Sequence, residues 1–571
     1  MSVTAKHAEG YERRWWILVV LCMSLLIIGL DNTVLNVAIP TLVRDLGASN
    51  SELQWIVDAY ILVFAGLLLT AGSISDRFGR RSVLSIGLGI FGIGSIASAF
   101  AVSATMLIAT RAMMGIGGAM IMPSTLSILT NIFPPEERGR AIGIWAGVSG
   151  MGIGLGPLIG GALLDNFWWG SVFLINVPIV IIAITAGRLI VPNSKAPNAP
   201  KIDPVGAGLS IAGLVSLVFS IIEAPTRGWT DPVILAGFAL AAVILSIFVW
   251  WESHSDHPML NVRFFENPRF TAASLSITLV FFAMFGSMFF LSQYLQFLLK
   301  YTPLQAGVRQ MPVALVMIIV APMAGLLVNK LGNKILVSTG MVVAATGLFM
   351  LSRTTVGSDY WNMLPSIIVL VIGMSLTMTP ATESIMGSLP KEKAGVGSAM
   401  NDTTRQIGGA LGVAILGSVF SSTYVSGFNS AAFSRLPAGM SGQIKSSVGG
   451  ALEVAARIGG GAGQTLYHTA ASSFITGMDR ALVIGSLIAL SGALIAMIWL
   501  PNRPEPDKAE QERMEKLYAE RQHQPGTIES PAVVQIIDGS APADRPVEEG
   551  PARERRPAEA RIEAEFEGAE P

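Results

Sequence analysis

The stretch Gly72-Ser-Ile-Ser-Asp-Arg-Phe-Gly-Arg-Arg81 is followed 253 residues later by a related stretch, Gly325-Leu-Leu-Val-Asn-Lys-Leu-Gly-Asn-Lys334. The two stretches align without a gap, and each has glycine at its first and eighth positions. A second pair of segments, Pro134–Gly139 and Pro390–Gly395, repeats at an offset of 256 residues. Two repeats at nearly one spacing predict a chain built from two homologous halves.

The composition places these halves in a membrane. Residues of the set A, V, I, L, M, F, W, Y and C make up 51% of the chain and charged residues only 13%, with a mean hydropathy of +0.57. A soluble domain carries charge at about a quarter of its positions, so this chain lacks the polar surface to face water everywhere. Its apolar segments run to about twenty residues, the length that a helix needs to cross ~30 Å of hydrocarbon.

We predict an all-α integral membrane protein with about fourteen spanning helices. The apolar segments lie near residues 15–39, 53–73, 83–101, 104–129, 140–164, 171–191, 205–223, 233–251, 271–298, 306–329, 333–351, 361–386, 397–424 and 475–500. Arg13 and Arg14 precede the first segment as in a signal peptide, but the segment is too long for one and lacks a small-residue cleavage site. We therefore expect it to be a retained first helix.

Loop charge predicts the orientation. Roughly a threefold excess of lysine and arginine falls in the loops on the side of both chain termini, which marks the cytoplasmic side. We expect a multi-pass protein of the inner or plasma membrane with both termini in the cytoplasm.

The repeats predict two six-helix bundles, residues 15–200 and 253–503. Beside them we predict a cytoplasmic tail at residues 1–14, two inserted helices at 201–252 and an external loop at 426–474 with room for a short helix around 447–458. We also predict a charged, proline-rich disordered cytoplasmic tail at 504–571. The halves point to a secondary transporter, because such proteins are commonly built from internal repeats.

Five motifs, in order and each on the corresponding helix, resemble the major facilitator superfamily and specifically its fourteen-helix drug:proton antiporter branch. They are Leu30–Pro40, Trp55–Tyr60, Gly72–Arg81, Arg111–Gly115 and Gly147–Gly161. In the fourth of them, Met114 stands where glutamine is common. The resemblance covers nearly all of residues 15–500. It implies the major facilitator fold and proton-driven export of small lipophilic or cationic compounds, as in multidrug efflux and antibiotic resistance.

Three charged residues are candidates for proton coupling: Asp31, Arg111 and Asp402. A charge at mid-membrane costs at least ~2.5–3.5 kcal/mol, so it is usually functional or paired. We predict that Asp31 exchanges a proton for substrate while Arg111 tunes its proton affinity; the alternative is a static structural ion pair. Asp402 and Arg405 are three residues apart and share a helix face, which allows them to pair.

Three polar residues are candidates for the substrate cavity: Asp58, Asn36 and Glu223. Asp58 lies near the external end of the second helix and either attracts a cationic substrate or is an ordinary interfacial carboxylate. Glu223 lies near the external end of the seventh helix, where a lipid-facing interface is the alternative. Asn36 belongs to the first-helix motif.

Two glycine-containing motifs are predicted to serve conformational change. The first is a cytoplasmic gating loop, in which glycines form a tight turn and charged side chains bridge helix ends in one conformation only. Its members are Gly72, Asp76, Arg77, Gly79, Arg80 and Arg81. Anchoring by positive charge accounts for the arginines but not for Asp76. The second is the antiporter motif of the fifth helix, which packs closely and seals the outer vestibule or is a plain packing helix, formed by Gly152, Gly156, Pro157, Gly160 and Gly161.

Other classes of function lack their signatures. There is no Gly-x-x-x-x-Gly-Lys-Ser/Thr loop for ATP, and His254 and His257 lack further ligands for a metal. We expect no cofactor, no nucleotide or nucleic acid, and no enzymatic activity. The expected partners are a small-molecule substrate, protons and the lipid bilayer, for a monomeric protein. A dedicated exporter of one metabolite or self-made antibiotic remains the alternative, ahead of a membrane sensor or enzyme.

Overall fold

Helices account for nearly all of the described backbone. The computed structural model describes residues 10–46, 50–195, 203–255, 258, 260, 262–390, 393–428, 438–446 and 448–502. Within these ranges there is no β-strand, which confirms the all-α prediction. The predicted disordered tail, 504–571, and residues 1–9 of the predicted N-terminal tail lie outside the described residues.

The described α-helices are numbered in chain order. They are α1 (Arg14–Leu46), α2 (Asn50–Phe78), α3 (Arg80–Ala99), α4 (Ala104–Ile132), α5 (Pro135–Asn166), α6 (Ser171–Leu174), α7 (Asn176–Ile190), α8 (Pro204–Arg227), α9 (Pro232–His254), α10 (Pro268–Gln293), α11 (Pro303–Leu331), α12 (Asn333–Ser352), α13 (Tyr360–Gly387), α14 (Ala394–Ser426), α15 (Ala438–Ser446), α16 (Val448–Ile458) and α17 (Gly460–Trp499). Among the described residues, thirteen spans are long and apolar enough to cross a membrane, with α6 and α7 forming one of them. The 32-residue α5 runs beside them as a further long helix.

The sequence repeat reappears as a repeat of helices. Helices α2 and α11 each have 29 residues, and α3 and α12 each have 20. A glycine with positive φ forms the turn between α2 and α3 (Gly79, 105°) and the turn between α11 and α12 (Gly332, 81°). Other residues rarely adopt this conformation. Helices α1–α7 form one bundle, and α10–α14 with α17 form the other. The predicted pair of pseudo-symmetric six-helix bundles is confirmed.

The segments that follow the last helix of each bundle lie beside these two turns. The backbone N–H of Arg80 donates to the carbonyl of Ser194 over 3.0 Å, and that of Asn333 donates to the carbonyl of Asn502 over 3.2 Å. In each bundle the segment after the last helix therefore covers the glycine turn. We call this the terminal side of the molecule and the opposite end the distal side.

Helices α8 and α9 form a hairpin that covers one seam between the bundles. Val218 of α8 packs with Leu62 and Ala65 of α2 in the first bundle. Leu214 of α8 packs with Leu69 of α2 and with Ala399 of α14 in the second bundle. The inserted hairpin thus contacts both halves at the α2–α14 seam.

The described residues of the segment predicted as an external loop, 426–474, are largely helical, including the short helix predicted around 447–458. The segment contains α15 and α16, and α17 begins at Gly460, fifteen residues earlier than the predicted start near 475. Its glycine, serine and alanine content is typical of a loop, but α16 buries an apolar face made of Val448, Ala451, Val454 and Ala455. Because α16 packs on α17, tertiary burial stabilises helices that composition alone does not favour.

Candidate functional site

An ion pair buried inside the first bundle joins Asp31 of α1 to Arg111 of α4. Their side chains are 2% and 1% exposed, and Arg111 Nη1 contacts Asp31 Oδ2. Arg111 Nε also donates to the carbonyl oxygen of Ile56 over 3.2 Å, and its guanidinium lies 4.4 Å from the centre of the Tyr60 ring. Two residues that are 80 positions apart in the sequence are thus brought into direct contact.

Polar side chains that the sequence analysis missed support this pair. Asn176 of α7 donates through Nδ2 to Asp31 Oδ1 over 3.4 Å and to Ser95 Oγ of α3 over 3.0 Å. Ser95 in turn donates to the carbonyl oxygen of Phe173 over 2.8 Å. An amide in an otherwise apolar segment was the available signal for Asn176.

A second buried pair, Asp402 and Arg405, lies on α14. Arg405 Nη1 is 3.9 Å from Asp402 Oδ1, and the side chains are 3% and 0% exposed for Arg405 and Asp402. Asn401 Nδ2 donates to Asp402 Oδ1 over 3.2 Å, and Arg405 Nη2 donates to Thr382 Oγ1 over 3.2 Å. Asp402 Oδ2 and the Nε and Nη1 atoms of Arg405 have no hydrogen-bond partner among the described residues.

The Arg405 guanidinium lies between aromatic rings from both bundles. Its carbon is 4.8 Å from the ring centre of Trp145 on α5 and 5.2 Å from that of Phe281 on α10. The indole of Trp145 is held in place because its Nε1 donates a hydrogen bond of 3.1 Å to Thr125 Oγ1 on α4. The second pair therefore lies at the contact between the bundles, whereas the first lies within one bundle.

On the terminal side, Asp76 of α2 caps the first turn of α14. Gly395 N donates to both carboxylate oxygens of Asp76 over 3.0 and 2.9 Å, and Val396 N donates over 3.3 Å. Arg80 Nη2 donates to Asp76 Oδ1 over 2.9 Å. A carboxylate at a helix N-terminus is favourable because it satisfies free N–H groups and complements the helix dipole. The loop motif of the first bundle thus bonds directly to the second bundle.

The other members of the gating loop have different positions. Gly72 lies within α2 rather than in the turn, so its predicted role there is wrong. It allows close approach instead, because a Cβ atom at Gly72 would lie 2.5 Å from the carbonyl oxygen of Gly395. Arg81 Nη1 donates to the carbonyl of Val191 over 3.2 Å, within the first bundle. The Arg77 guanidinium lies 5.8 Å from the centre of the Phe78 ring.

The pseudo-symmetric seam, between α5 and α11, has the same backbone contact but different charges. A Cβ atom at Gly139 would lie 2.7 Å from the carbonyl oxygen of Gly325. Gly325 is the counterpart of Gly72 in the repeat. The acidic group comes from Glu383 of α13, which interacts electrostatically with Arg269 of α10 and Arg138 of α5. The sequence analysis missed this cluster because its members belong to three separate helices.

The glycine face of α5 packs against α1 beside Asp31. A Cβ atom at Gly152 would lie 2.6 Å from Gly29 Cα, and one at Gly156 would overlap Thr33 Oγ1. Thr33 Oγ1 donates to the carbonyl oxygen of Gly152 over 2.8 Å. Farther along α5, an added Cβ atom at Gly160 would lie 3.2 Å from Val34 Cγ1, and one at Gly161 would lie 3.3 Å from Leu304 Cδ1. The side chain of Pro157 lies outside the described part of the structure.

Two of the three substrate-cavity candidates, Asp58 and Glu223, lie on helices that line an apolar cavity. Asp58 and Glu223 are 9% and 8% exposed, and Glu223 Oε2 accepts from Arg227 Nε over 2.7 Å. Asn36 lies in α1, but its side chain is outside the described part. A cavity of about 590 Å³ lies between α2 and the α8–α9 hairpin and is lined by apolar residues including Trp55 and Phe219.

The family model described as "Major Facilitator Superfamily" matches residues 21–413. The chain belongs to the Major Facilitator Superfamily. It is therefore a multi-pass membrane transporter, as the five motifs predicted.

Among the described residues, no group of three or more histidine, cysteine, aspartate or glutamate side chains is placed to hold a metal ion.

Relatives within the superfamily carry names of drug-efflux proteins. The chain is 37% identical to the multidrug efflux pump LfrA of Mycolicibacterium smegmatis over 85% of its own length and 95% of that relative's. It is 34% identical to the methyl viologen resistance protein SmvA of Salmonella typhimurium, over 84% and 97% of the two lengths. It is 32% identical to the tetracenomycin C resistance and export protein of Streptomyces glaucescens, over 89% and 95%. The predicted resemblance to the drug-efflux branch is confirmed.

A solved structure of the superfamily has the same fold. The chain superposes on the proton:xylose symporter XylE with a TM-score of 0.59 at 14% identity, over 88% of this chain and 99% of that one. At this identity the likeness concerns the fold alone.

Proposed function

We propose that this transporter is a proton-coupled antiporter that exports small lipophilic or cationic compounds across the inner or plasma membrane. The Asp31–Arg111 pair carries the proposal, because a carboxylate inside an apolar bundle is the group that binds and releases a proton there. The efflux-pump names of relatives at 32–37% identity support the class of substrate.

In this proposal the terminal side is cytoplasmic, as the lysine and arginine excess favours. The contacts of Asp76 with α14, and the glycine contacts at both seams, close the bundles on that side. Opening the cytoplasmic side requires these contacts to break. They are therefore the two-state element that alternating access needs.

The position of Asp31 on α1 suggests how proton binding moves the bundles. Protonation removes the charge that holds Arg111, so α1 loses its ion pair with α4. Thr33 follows Asp31 by two residues and therefore lies on the opposite side of α1. Its hydroxyl donates to the carbonyl oxygen of Gly152 on α5. Since α5 also packs along α11 of the second bundle, a movement of α1 is passed to the contact between the bundles.

Asp402 is proposed as a second coupling residue, because it lies at that contact. Asp58, Asn36 and Glu223 are proposed to belong to the substrate path, which the apolar cavity beside Trp55 would supply with lipophilic surface. We propose that the transporter works as a monomer.

One observation favours a second candidate, an exporter dedicated to a single antibiotic or metabolite. The Streptomyces glaucescens relative is named for resistance to and export of one compound, tetracenomycin C. The same coupling site would serve this function. A broad panel of dyes and antibiotics separates the two, because a dedicated exporter moves none or one of them.

The test is efflux of ethidium from energised cells, compared at equal membrane abundance for the wild type and Asp31→Asn. The substitution keeps the side-chain size but removes the titrating group, so we expect proton-gradient-dependent efflux to be lost. The matched control is Asp231→Asn at the N-cap of α9, where the carboxylate accepts the backbone N–H of Val233 and interacts with Arg227 through its charge alone. Asparagine caps helices equally well, so this variant should export like the wild type.

Efflux by Asp31→Asn at the wild-type rate would show that proton coupling lies elsewhere. Failure of the wild type to move any compound of a broad panel would instead favour the dedicated exporter.

A further inference from the structure

The surroundings of Arg405 are those of a site for an organic cation. Two aromatic faces, Trp145 and Phe281, lie 4.8 and 5.2 Å from its guanidinium carbon. Asp402 adds a carboxylate, whose Oδ1 atom lies 3.9 Å from Nη1 of Arg405. Aromatic faces beside an anionic group are the surroundings that proteins use to bind quaternary ammonium ions.

Arg405 itself is poorly held in this place. It is 3% exposed, yet Nε and Nη1 have no hydrogen-bond partner among the described residues, and neither has Asp402 Oδ2. Its one hydrogen bond goes from Nη2 to Thr382 Oγ1 over 3.2 Å. Buried polar groups are nearly always hydrogen-bonded, so this arrangement leaves Arg405 with little to lose by moving away.

The two rings belong to different bundles. Trp145 is on α5 of the first bundle and Phe281 is on α10 of the second. Any relative movement of the bundles therefore changes the distance between the rings and opens or closes the space that the guanidinium fills.

We propose that Trp145, Phe281 and Asp402 form a binding site for organic cations, and that Arg405 is a tethered competitor that fills the site when the substrate is absent. This rests on the proposed export function and identifies where its cationic substrates bind. A substrate cation displaces the guanidinium, takes the two aromatic faces and pairs with Asp402. When the substrate leaves, Arg405 returns, so the carboxylate is never buried without a cation.

The ligand chemistry follows from the residues. The site favours a delocalised or quaternary cation that carries aromatic or apolar groups, because such an ion loses little hydration on entering and contacts both rings. It disfavours a small, strongly hydrated cation such as Na⁺, because one carboxylate and two rings do not supply enough oxygen ligands to replace its hydration shell.

The experiment is equilibrium binding of tetraphenylphosphonium to the purified full-length protein in lipid nanodiscs. Arg405→Gln removes the competitor, so we expect binding about tenfold tighter than to the wild type, which corresponds to about 1.4 kcal/mol. Arg405→Lys keeps a tethered cation that can occupy the aromatic faces, so it should bind within about threefold of the wild type. The neutral probe triphenylphosphine oxide should bind equally to all three proteins.

Two double variants test the rings. Adding Trp145→Leu or Phe281→Leu to Arg405→Gln should abolish the tenfold gain, and monodisperse size-exclusion profiles identify the folded variants. The proposal is overturned if Arg405→Gln binds tetraphenylphosphonium no more tightly than the wild type. It is overturned equally if Arg405→Lys shows the same gain, or if the neutral probe gains in parallel.

Ethidium efflux by the wild type separates this proposal from the proposed function. Export by the wild type without a gain in Arg405→Gln would reject the cation site alone. A gain in Arg405→Gln together with no proton-dependent export would reject antiport and keep the cation site.

Discussion

The two buried carboxylate–arginine pairs differ in how well they are satisfied. Asp31 and Arg111 are in direct contact, and the backbone of Ile56 and the side chain of Asn176 complete their hydrogen bonds. Asp402 and Arg405 approach only to 3.9 Å and leave three polar atoms without a partner among the described residues. The first pair lies within one bundle and the second at the contact between two.

This difference indicates two separate tasks. A pair with complete hydrogen bonds holds one defined arrangement until a proton removes its charge, which suits a coupling site. A pair with unpartnered atoms next to rings from both bundles exchanges partners easily, which suits a site that senses substrate and bundle position. The comparison predicts different responses to mutation at the two places.

The largest difference should appear in stability. Arg111→Leu leaves Asp31 buried without its partner, and breaking such a pair costs about 3–5 kcal/mol. Arg405→Leu also leaves a buried carboxylate, Asp402, but it removes a looser pair with a single hydrogen bond among the described residues, so the loss should be smaller, about 1–3 kcal/mol. Thermal unfolding of the two purified variants measures both. Equal losses for the two variants would contradict the comparison.

A smaller effect is expected at the terminal-side contact of Asp76. Asp76→Asn removes a charged acceptor from the N–H groups of Gly395 and Val396, and hydrogen bonds to charged groups contribute about 1.5–3 kcal/mol. We expect the closed arrangement to lose population. The readout is maleimide labelling of an Ala399→Cys variant in a Cys22→Ser background, since Ala399 is buried at this seam.

Labelling of Ala399→Cys should be at least about tenfold faster with Asp76→Asn than without it. The control is again Asp231→Asn, which makes the same chemical change away from the seam. An unchanged labelling rate with Asp76→Asn would show that Asp76 does not hold the bundles together.

The packing of α5 beside the first pair gives a moderate effect. Gly152→Ala places a methyl group against the backbone of Gly29, so overpacking should destabilise the protein by about 1–3 kcal/mol. Gly89 of α3 is the matched control, because an added Cβ atom there meets nothing within 4 Å. Gly89→Ala should stabilise the helix by about 0.5–1 kcal/mol. Melting temperatures that move in the same direction would reject the close-packing role of Gly152.

The smallest effect is expected at an exposed ion pair, Glu453 with Arg457, whose side chains are 66% and 60% exposed. Solvent screens such a pair, so Glu453→Gln should leave the melting temperature unchanged. A large decrease would mean that the number of ion-pair contacts, rather than their burial, governs stability in this chain.

Sequence patterns predicted the features that depend on local periodicity. The repeat around Gly79 and Gly332 predicted two turns, and both glycines have positive φ. Asp31 and Arg111 stood out as charges in apolar segments, and the structure pairs them. Asp76 stood out as an acidic residue among arginines, and it contacts the second bundle.

The features that were missed depend on how helices are rotated and which neighbours they have. Trp145 and Arg405 are 260 residues apart and on opposite bundles, so no spacing in the sequence links them. In the sequence Glu383 is a single carboxylate near a helix end, and only the fold brings Arg138 of α5 and Arg269 of α10 close to it. The short helix predicted around 447–458 is present as α16, but α15 and the early start of α17 were missed, because glycine, serine and alanine do not mark a helix that tertiary packing stabilises.

The most direct test of the account is proton movement driven by substrate in proteoliposomes. A pyranine-loaded liposome containing the wild type should report proton movement opposite to that of added tetraphenylphosphonium when no gradient is imposed. Asp31→Asn should abolish this proton signal, and Asp231→Asn should retain it. Undiminished substrate-driven proton movement in Asp31→Asn would contradict the claim that Asp31 couples protons to export.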